Sequence, residues 1–190
     1  MFDPMAGGGV VSDTCLLFER KCRAFDLASS EERPEIQQFY WDVGKMDWPD
    51  IKKPDLIFFD PPYFTKKEDE YREKSIGGQL PISSINRESY LEFFHQFFSL
   101  VYENSKPMTR IAFLNADWRD FQSVPALEED ASKSITVFDF QDLLLKVGWR
   151  VTHRIECPMP TERFSGNVVS KMQEKRILGT VGRTLLIARR

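Results

Sequence analysis

Leu56-Ile57-Phe58-Phe59-Asp60-Pro61-Pro62-Tyr63 is the stretch on which the reading of the fold turns. Four apolar residues in a row show no inside–outside alternation, as expected of a strand covered on both faces, and such strands belong to parallel sheets. The two prolines then remove two backbone donors and fix φ twice, so the chain leaves the sheet rigidly after Asp60. A rigid exit at the carboxyl end of a strand lies on the edge where open α/β sheets bind their ligands. It presents a carboxylate, the Pro61 carbonyl and the ring of Tyr63 to one cavity. Two acceptors beside a flat stacking surface suit a planar amine such as a nucleobase, whose amino hydrogens they would accept while Tyr63 stacks on the ring.

Working outward, Cys22–Leu27 and Gln37–Asp42 read as strands upstream, and Arg110–Asn115, Arg150–Cys157 and Thr184–Ala188 as strands downstream. Ser12–Lys21 reads as a short helix with Ser12 or Asp13 as its cap. A longer helix is capped by Asn86, carries Tyr90, Phe94, Phe97, Phe98 and Val101 on one stripe, and is stopped by Lys106-Pro107. Phe140–Val147, ended by Gly148, is a third. Strands alternating with helices predict βαβ units in a mostly parallel sheet. The last strand follows a long connection with no obvious crossover helix, so an antiparallel entry is expected. The whole of 1–190 reads as one domain with irregular insertions at about 64–85 and 158–182, and loops of more than about 15 residues are usually functional. Only Met1 and Phe2 precede Asp3. The first strand is therefore either a stub or one completed by an upstream domain or by the partner in a homodimer.

That stub runs into Asp3-Pro4-Met5-Ala6-Gly7-Gly8-Gly9. Three glycines let the backbone approach a ligand closely and take positive φ. No Gly-Lys-Ser/Thr follows and the G-x-G-x-x-G spacing is missing, so a phosphate cradle is disfavoured. The next strand ends on Asp26, placed to bond the two hydroxyls of a ribose. The third is expected to end on Asp42, placed to meet an adenine amino group. A glycine turn and two acids at three successive strand ends read as a nucleoside site.

Together, Asp3–Gly9, Asp26, Asp42 and Asp60-Pro61-Pro62-Tyr63 resemble the amino-methyltransferases that modify adenine N6 or cytosine N4 in DNA using S-adenosylmethionine. The order, with the glycine turn first and only about 50 residues before the Asp-Pro-Pro-Tyr turn, is similar to the group whose recognition segment follows that turn. The resemblance implies a Rossmann-like class I methyltransferase sheet and S-adenosylmethionine as cofactor. It places Asp3, Pro4, Ala6, Gly7, Gly8, Gly9, Asp26 and Asp42 around that cofactor. Asp60, Pro61, Pro62 and Tyr63 become the catalytic set. It further implies direct in-line transfer without a covalent enzyme intermediate. Methyltransferases of guanine N2 in ribosomal RNA carry similar turns, so RNA is the alternative substrate. A non-catalytic nucleic-acid-binding subunit is the alternative of another class.

Composition fits this picture. The 190 residues are 42% hydrophobic and 29% charged, ordinary for a globular domain. No run of 18 apolar residues suggests a membrane span, and no basic segment precedes an apolar stretch at the N-terminus. Cys15, Cys22 and Cys157 form no metal-binding pattern and read as reduced thiols, which points to the cytoplasm. The net charge of −3 divides into +7 over residues 146–190 and −10 over residues 1–145. A basic end on an acidic body suits phosphate contacts, with Arg163, Lys171, Lys175 and Arg176 as candidates, helped by Lys66 and Lys67. His95 among phenylalanines reads as a packing or rim residue, and His153 as surface. Asn115 and Asp117 fall at the same sheet edge as Asp60.

Overall fold

The computed structural model of the chain describes residues 1–27, 31–39, 46–62, 64, 82, 85–119, 134–158, 166–174 and 182–190. Asp42, Tyr63, Lys66, Lys67, Arg163, Lys175 and Arg176 lie outside these residues, and Lys171 is described in its backbone only.

In chain order the elements are β1 (Phe2–Asp3), α1 (Val10–Leu17), β2 (Arg23–Asp26), β3 (Ile36–Gln38), β4 (Leu56–Phe59), α2 (Arg87–Glu103), β5 (Arg110–Asn115), β6 (Trp118–Arg119), β7 (Ser134–Ile135), α3 (Val137–Val147), β8 (Arg150–Pro158), α4 (Gly166–Glu174) and β9 (Gly182–Arg189). Seven strands form one sheet in the order β3-β2-β1-β4-β5-β9-β8, and β6 pairs with β7 apart from it. Pairings from β3 to β5 are parallel, whereas β9 runs against both β5 and β8. The expected antiparallel last strand is thus present. From β1 the chain winds to β2 and β3 on one side; from β4 it winds to β5 on the other. The order therefore reverses between β1 and β4, and such a switch point opens the crevice in which α/β sheets hold ligands.

The core packs α2 and α3 against β4 and β5. Tyr90, Phe93, Phe94, Phe97, Phe98 and Val101 of α2 are buried against the sheet. Phe59 lies 4.4 Å from Phe97 and 5.5 Å from Phe113 between ring centroids, and Phe113 lies 4.9 Å from Phe140 of α3. Each such ring taken from water stabilises the fold by about 1.5–3 kcal/mol. The Asn86 side chain caps α2 by accepting from Ser89 N at 2.8 Å, as its sequence predicts.

β1 is a stub, and it is well held. Phe2 is fully buried and pairs with both Arg23 and Ile57. Its ring packs edge-on to Phe25 at 5.8 Å and to Trp48 at 5.1 Å. Two central residues suffice because strands flank them on both sides.

Several boundaries differ from expectation. The cap of α1 is Gly9, not Ser12 or Asp13, and the helix starts at Val10. Gly9 takes φ +82, and a Cβ there would lie 2.3 Å from the Arg33 guanidinium, so the glycine run itself ends in the helix. β3 covers Ile36–Gln38, ending before the expected Asp42. α2 ends at Glu103, ahead of Pro107. α3 begins at Val137, where Thr136 and Asp139 form a capping box that outweighs the apolar pattern read from Phe140 onward. The connection from β8 to β9 does carry a helix, α4, with a polar sequence that obscured it.

Candidate active site

The carboxyl ends of β1, β2 and β4 gather Asp3, Asp26 and Asp60 around the switch point. Asp3 is only 2% exposed. Its Oδ1 accepts from Met5 N at 3.3 Å, and its Oδ2 has no hydrogen-bond partner among the described residues. Burial pushes the Asp3 carboxyl up to about 7; the Met5 N–H opposes this, and the charges of Asp26 and Asp60 add to it. Three acids from three strands therefore share one field.

The glycine turn is braced from both sides. Gly7, at φ +50, donates its N–H to Asp26 Oδ2 at 2.7 Å, and Ala6 N donates to Phe25 O at 2.8 Å. Asp26 thus holds the turn as well as facing the edge. From the far side Arg33 donates to Gly8 O at 2.6 Å and Gly9 O at 3.1 Å, while pairing with Asp13 at 2.8 Å and Glu35 at 2.6 Å. Arg33 escaped the sequence reading because it sits between strands with no motif around it. A Cβ on Gly7 or Gly8 would meet nothing within 4 Å, so the turn faces open space. That open backbone at Gly7 and Gly8 lies beside the buried carboxyl of Asp3.

Asp60 is positioned from across the sheet. The pairing Asn115↔Thr184 brings the start of β9 to the carboxyl end of β5. Arg183 Nη1 there meets Asp60 Oδ2 at 3.1 Å, with the two side chains 34% and 36% exposed. Burial raises the Asp60 carboxyl above its ordinary value, and Arg183 pulls it partly back. The next turn is fixed from below. Tyr90 of α2, buried, donates its hydroxyl to Pro62 O at 2.8 Å. The Pro61 carbonyl accepts no hydrogen bond among the described residues. Phe64 lies 5.1 Å from Tyr90 and 4.8 Å from Trp118, closing an aromatic wall behind the turn.

Asn115 at the end of β5 and Asp117 just past it divide their roles. Asp117 Oδ1 accepts from Val137 N at 2.8 Å and so holds the first turn of α3. Asn115 is 3% exposed at the sheet edge itself. His95 is half-exposed on α2, 3.9 Å from Glu92, and His153 is exposed on β8. Cys15, Cys22 and Cys157 are free thiols. Among the described residues, no cluster of three or more His, Cys, Asp or Glu could hold a metal ion. No helix described is long and apolar enough to cross a membrane.

Solved structures share this architecture over the whole chain. The S-adenosylmethionine-dependent methyltransferase of Mesorhizobium loti matches 100% of this chain and 89% of its own, with TM-score 0.53 at 13% identity. The 1,6-didemethyltoxoflavin-N1-methyltransferase of Burkholderia thailandensis matches 100% and 69%, with TM-score 0.53 at 11% identity. A methyltransferase of Archaeoglobus fulgidus matches 100% and 85%, with TM-score 0.51 at 15% identity. The fold is the Rossmann-like fold of S-adenosylmethionine-dependent methyltransferases. No protein-family model matches the chain, and no curated protein sequence does.

Within this methyltransferase fold, β1, β2 and β4 carry Asp3, Asp26 and Asp60 to one edge, as their sequence positions predict. The fold also adds three residues that sequence reasoning passed over as site-builders: Arg33, Tyr90 and Arg183. Only Arg183 left a signal, as one cation in the basic terminal stretch.

Proposed function

We propose that the chain transfers a methyl group from S-adenosylmethionine to the exocyclic amine of a base in DNA, adenine N6 in the first place and cytosine N4 in the second. The observation that carries this reading is Asp60 at the switch point, anchored by Arg183 at 3.1 Å and followed by a turn in which Pro62 O is taken by Tyr90. The reading takes the Asp60 carboxylate and the Pro61 carbonyl as the two acceptors that a primary aromatic amine requires.

The glycine turn and the buried Asp3 fit the cofactor. Gly7, Gly8 and Gly9, with Pro4 and Ala6, offer close backbone approach, and Asp3 offers an unpaired oxygen to a cationic group. Asp26, and Asp42 beyond β3, take the ribose and adenine ends. When bound, S-adenosylmethionine supplies a methyl group activated by its sulfonium.

The chain's own residues do the rest. An aromatic exocyclic amine is a weak nucleophile because its lone pair is delocalised. Accepting both amino hydrogens at Asp60 and Pro61 favours a more tetrahedral nitrogen and disperses its growing positive charge. Holding the amine in line with the methyl removes most of the entropic barrier. The proton leaving the methylated nitrogen passes to Asp60, whose burial raises its proton affinity. Tyr63 stacks on the base, which must be flipped or unpaired to reach Asp60. The phosphates rest on Arg163, Lys171, Lys175 and Arg176, helped by Lys66 and Lys67. The free thiols of Cys15, Cys22 and Cys157 support a cytoplasmic setting for this chemistry.

Incubating the protein with labelled S-adenosylmethionine and separate DNA and RNA pools, then identifying the labelled nucleoside, tests the reading. N6-methyldeoxyadenosine or N4-methyldeoxycytidine is expected. Label in RNA alone, or in neither pool, overturns it.

A further inference from the structure

Arg33 lies between β2 and β3, where its carbonyl accepts from Ile36 N at 3.0 Å and turns the chain into β3. A guanidinium carries five N–H donors in one plane, and here all five meet an acceptor. Nε donates to Glu35 Oε1 at 2.6 Å. Nη1 donates to Gly8 O at 2.6 Å and to Asp13 Oδ2 at 3.3 Å. Nη2 donates to Gly9 O at 3.1 Å and to Asp13 Oδ1 at 2.8 Å. One side chain thereby ties the glycine turn and the first turn of α1 to the start of β3. The stability of α1 does not account for this arrangement. A cation at a helix N-terminus opposes the helix dipole, and ion pairs as exposed as those of Asp13 and Glu35 contribute little. What the contacts fix is backbone. Gly8 O and Gly9 O are drawn to Arg33, and a trans peptide sets its N–H opposite its C=O. The N–H groups of Gly9 and Val10 therefore point away from Arg33. Gly9 N is spent on Ala6 O at 2.8 Å, while Val10 N meets no acceptor among the described residues.

We propose that Arg33 is the positioning residue of the cofactor turn: it holds Gly8 and Gly9 in their binding shape before the cofactor arrives, and so sets affinity for the amino-acid end of S-adenosylmethionine. The inference rests on reading the glycine turn and Asp3 as the seat of that end, and is independent of which base is methylated. Asp26 already grips the other end of the turn through the Gly7 N–H at 2.7 Å. Without Arg33, Gly8 and Gly9 keep no side-chain anchor among the described residues. Glycine loses more conformational freedom on ordering than any other residue, so binding would then have to supply that order itself. The grip also explains Gly9, because at φ +82 a Cβ would lie 2.3 Å from Arg33 Nη2. The same guanidinium that shapes the turn excludes a side chain from it.

Isothermal titration of the full chain with S-adenosylhomocysteine and with 5′-methylthioadenosine tests this. Both are thioethers of adenosine, and only the first carries the amino-acid end. Arg33→Gln should bind S-adenosylhomocysteine about tenfold more weakly than the wild type, the scale of re-ordering one residue of backbone. Its affinity for 5′-methylthioadenosine should stay within about twofold, as for a change at a separate site. Should Arg33→Gln fail to fold by circular dichroism, Arg33→Lys, which keeps the charge and lacks the fork, is read the same way. A variant that binds S-adenosylhomocysteine as tightly as the wild type overturns the assignment of Arg33. Equal losses on both ligands overturn it too, because they would make Arg33 a general support of the fold. A wild-type protein that binds neither ligand overturns the cofactor reading instead, and is seen before any variant is made.

Discussion

Replacing Asp3 by Asn removes one negative charge from the most buried carboxyl of the edge while keeping its shape. In the folded chain this carboxyl titrates near 7, against an ordinary value of 3.8. Between those two pH values the folded state holds a proton that the unfolded chain has released. Stability must therefore be fullest below about pH 4 and decline as pH rises through 7. At about 1.4 kcal/mol per pH unit, the interval puts about 4 kcal/mol at stake. For a chain of this size that corresponds to a fall in Tm of about 8–16 °C. Thermal unfolding followed by circular dichroism from pH 4 to 8 should show the decline in the wild type. Asp3→Asn, with nothing to ionise, should lack it and be the more stable form at pH 8. The same titration couples to the cofactor. A cationic ligand favours ionised Asp3, so protection by S-adenosylmethionine should grow with pH up to about 7 in the wild type and stay flat in the variant. A Tm difference between the two proteins that does not change with pH refutes the reasoning, because it would mean that Asp3 is ionised or protonated alike in both states.

Other expectations follow from the same geometry. Asp60→Ala should abolish methyl transfer while leaving cofactor affinity, by isothermal titration, within about threefold, since the loss falls on the amine; wild-type turnover would remove Asp60 from the chemistry. Asp26→Ala should weaken cofactor binding by about 1.5–3 kcal/mol, the scale of hydrogen bonds to a charged group, and should also lower Tm because the Gly7 N–H loses its acceptor. Unchanged affinity would move the ribose elsewhere. Replacing Lys171, Lys175 and Arg176 together with Ala should weaken binding to all DNA sequences alike and flatten the salt dependence by up to about 0.9 log unit per lost phosphate contact; a retained wild-type salt slope would make that segment solvated surface.

The sequence announces the strand ends better than the helices. Leu56–Phe59 and Ile111–Leu114 are legible as continuous apolar runs, the first followed by Asp60 and the second by Asn115. The phenylalanine stripe of α2 is equally legible, since its spacing follows the helical period. α4 was not, because a helix of mixed polar residues carries little periodic signal against a loop. The start of α3 was set by a capping box that is visible in Thr136 and Asp139 but lies ahead of the apolar run. The site divides in the same way. Asp3, Asp26 and Asp60 belong to local motifs and could be named. Arg33, Tyr90 and Arg183 act across 24 to 123 positions of sequence, and only the sheet order brings such residues together.

The sheet order also accounts for the distribution of charge. β1, β2 and β4 place three carboxylates at the switch point, and one of these, Asp60, is paired with a cation that arrives on β9. Of the remaining two, Asp26 is an acid at the β1–β2 end, and Asp3 adds a negative charge there only above about pH 7. Beyond β4 the balance turns. Arg183 lies at the start of β9, and Arg150 and Arg154 lie on β8 at that end of the sheet order. Asp60 stands at the boundary, paired with Arg183. Drawing Arg183 away would remove the cation that pulls the Asp60 carboxyl back towards its ordinary value.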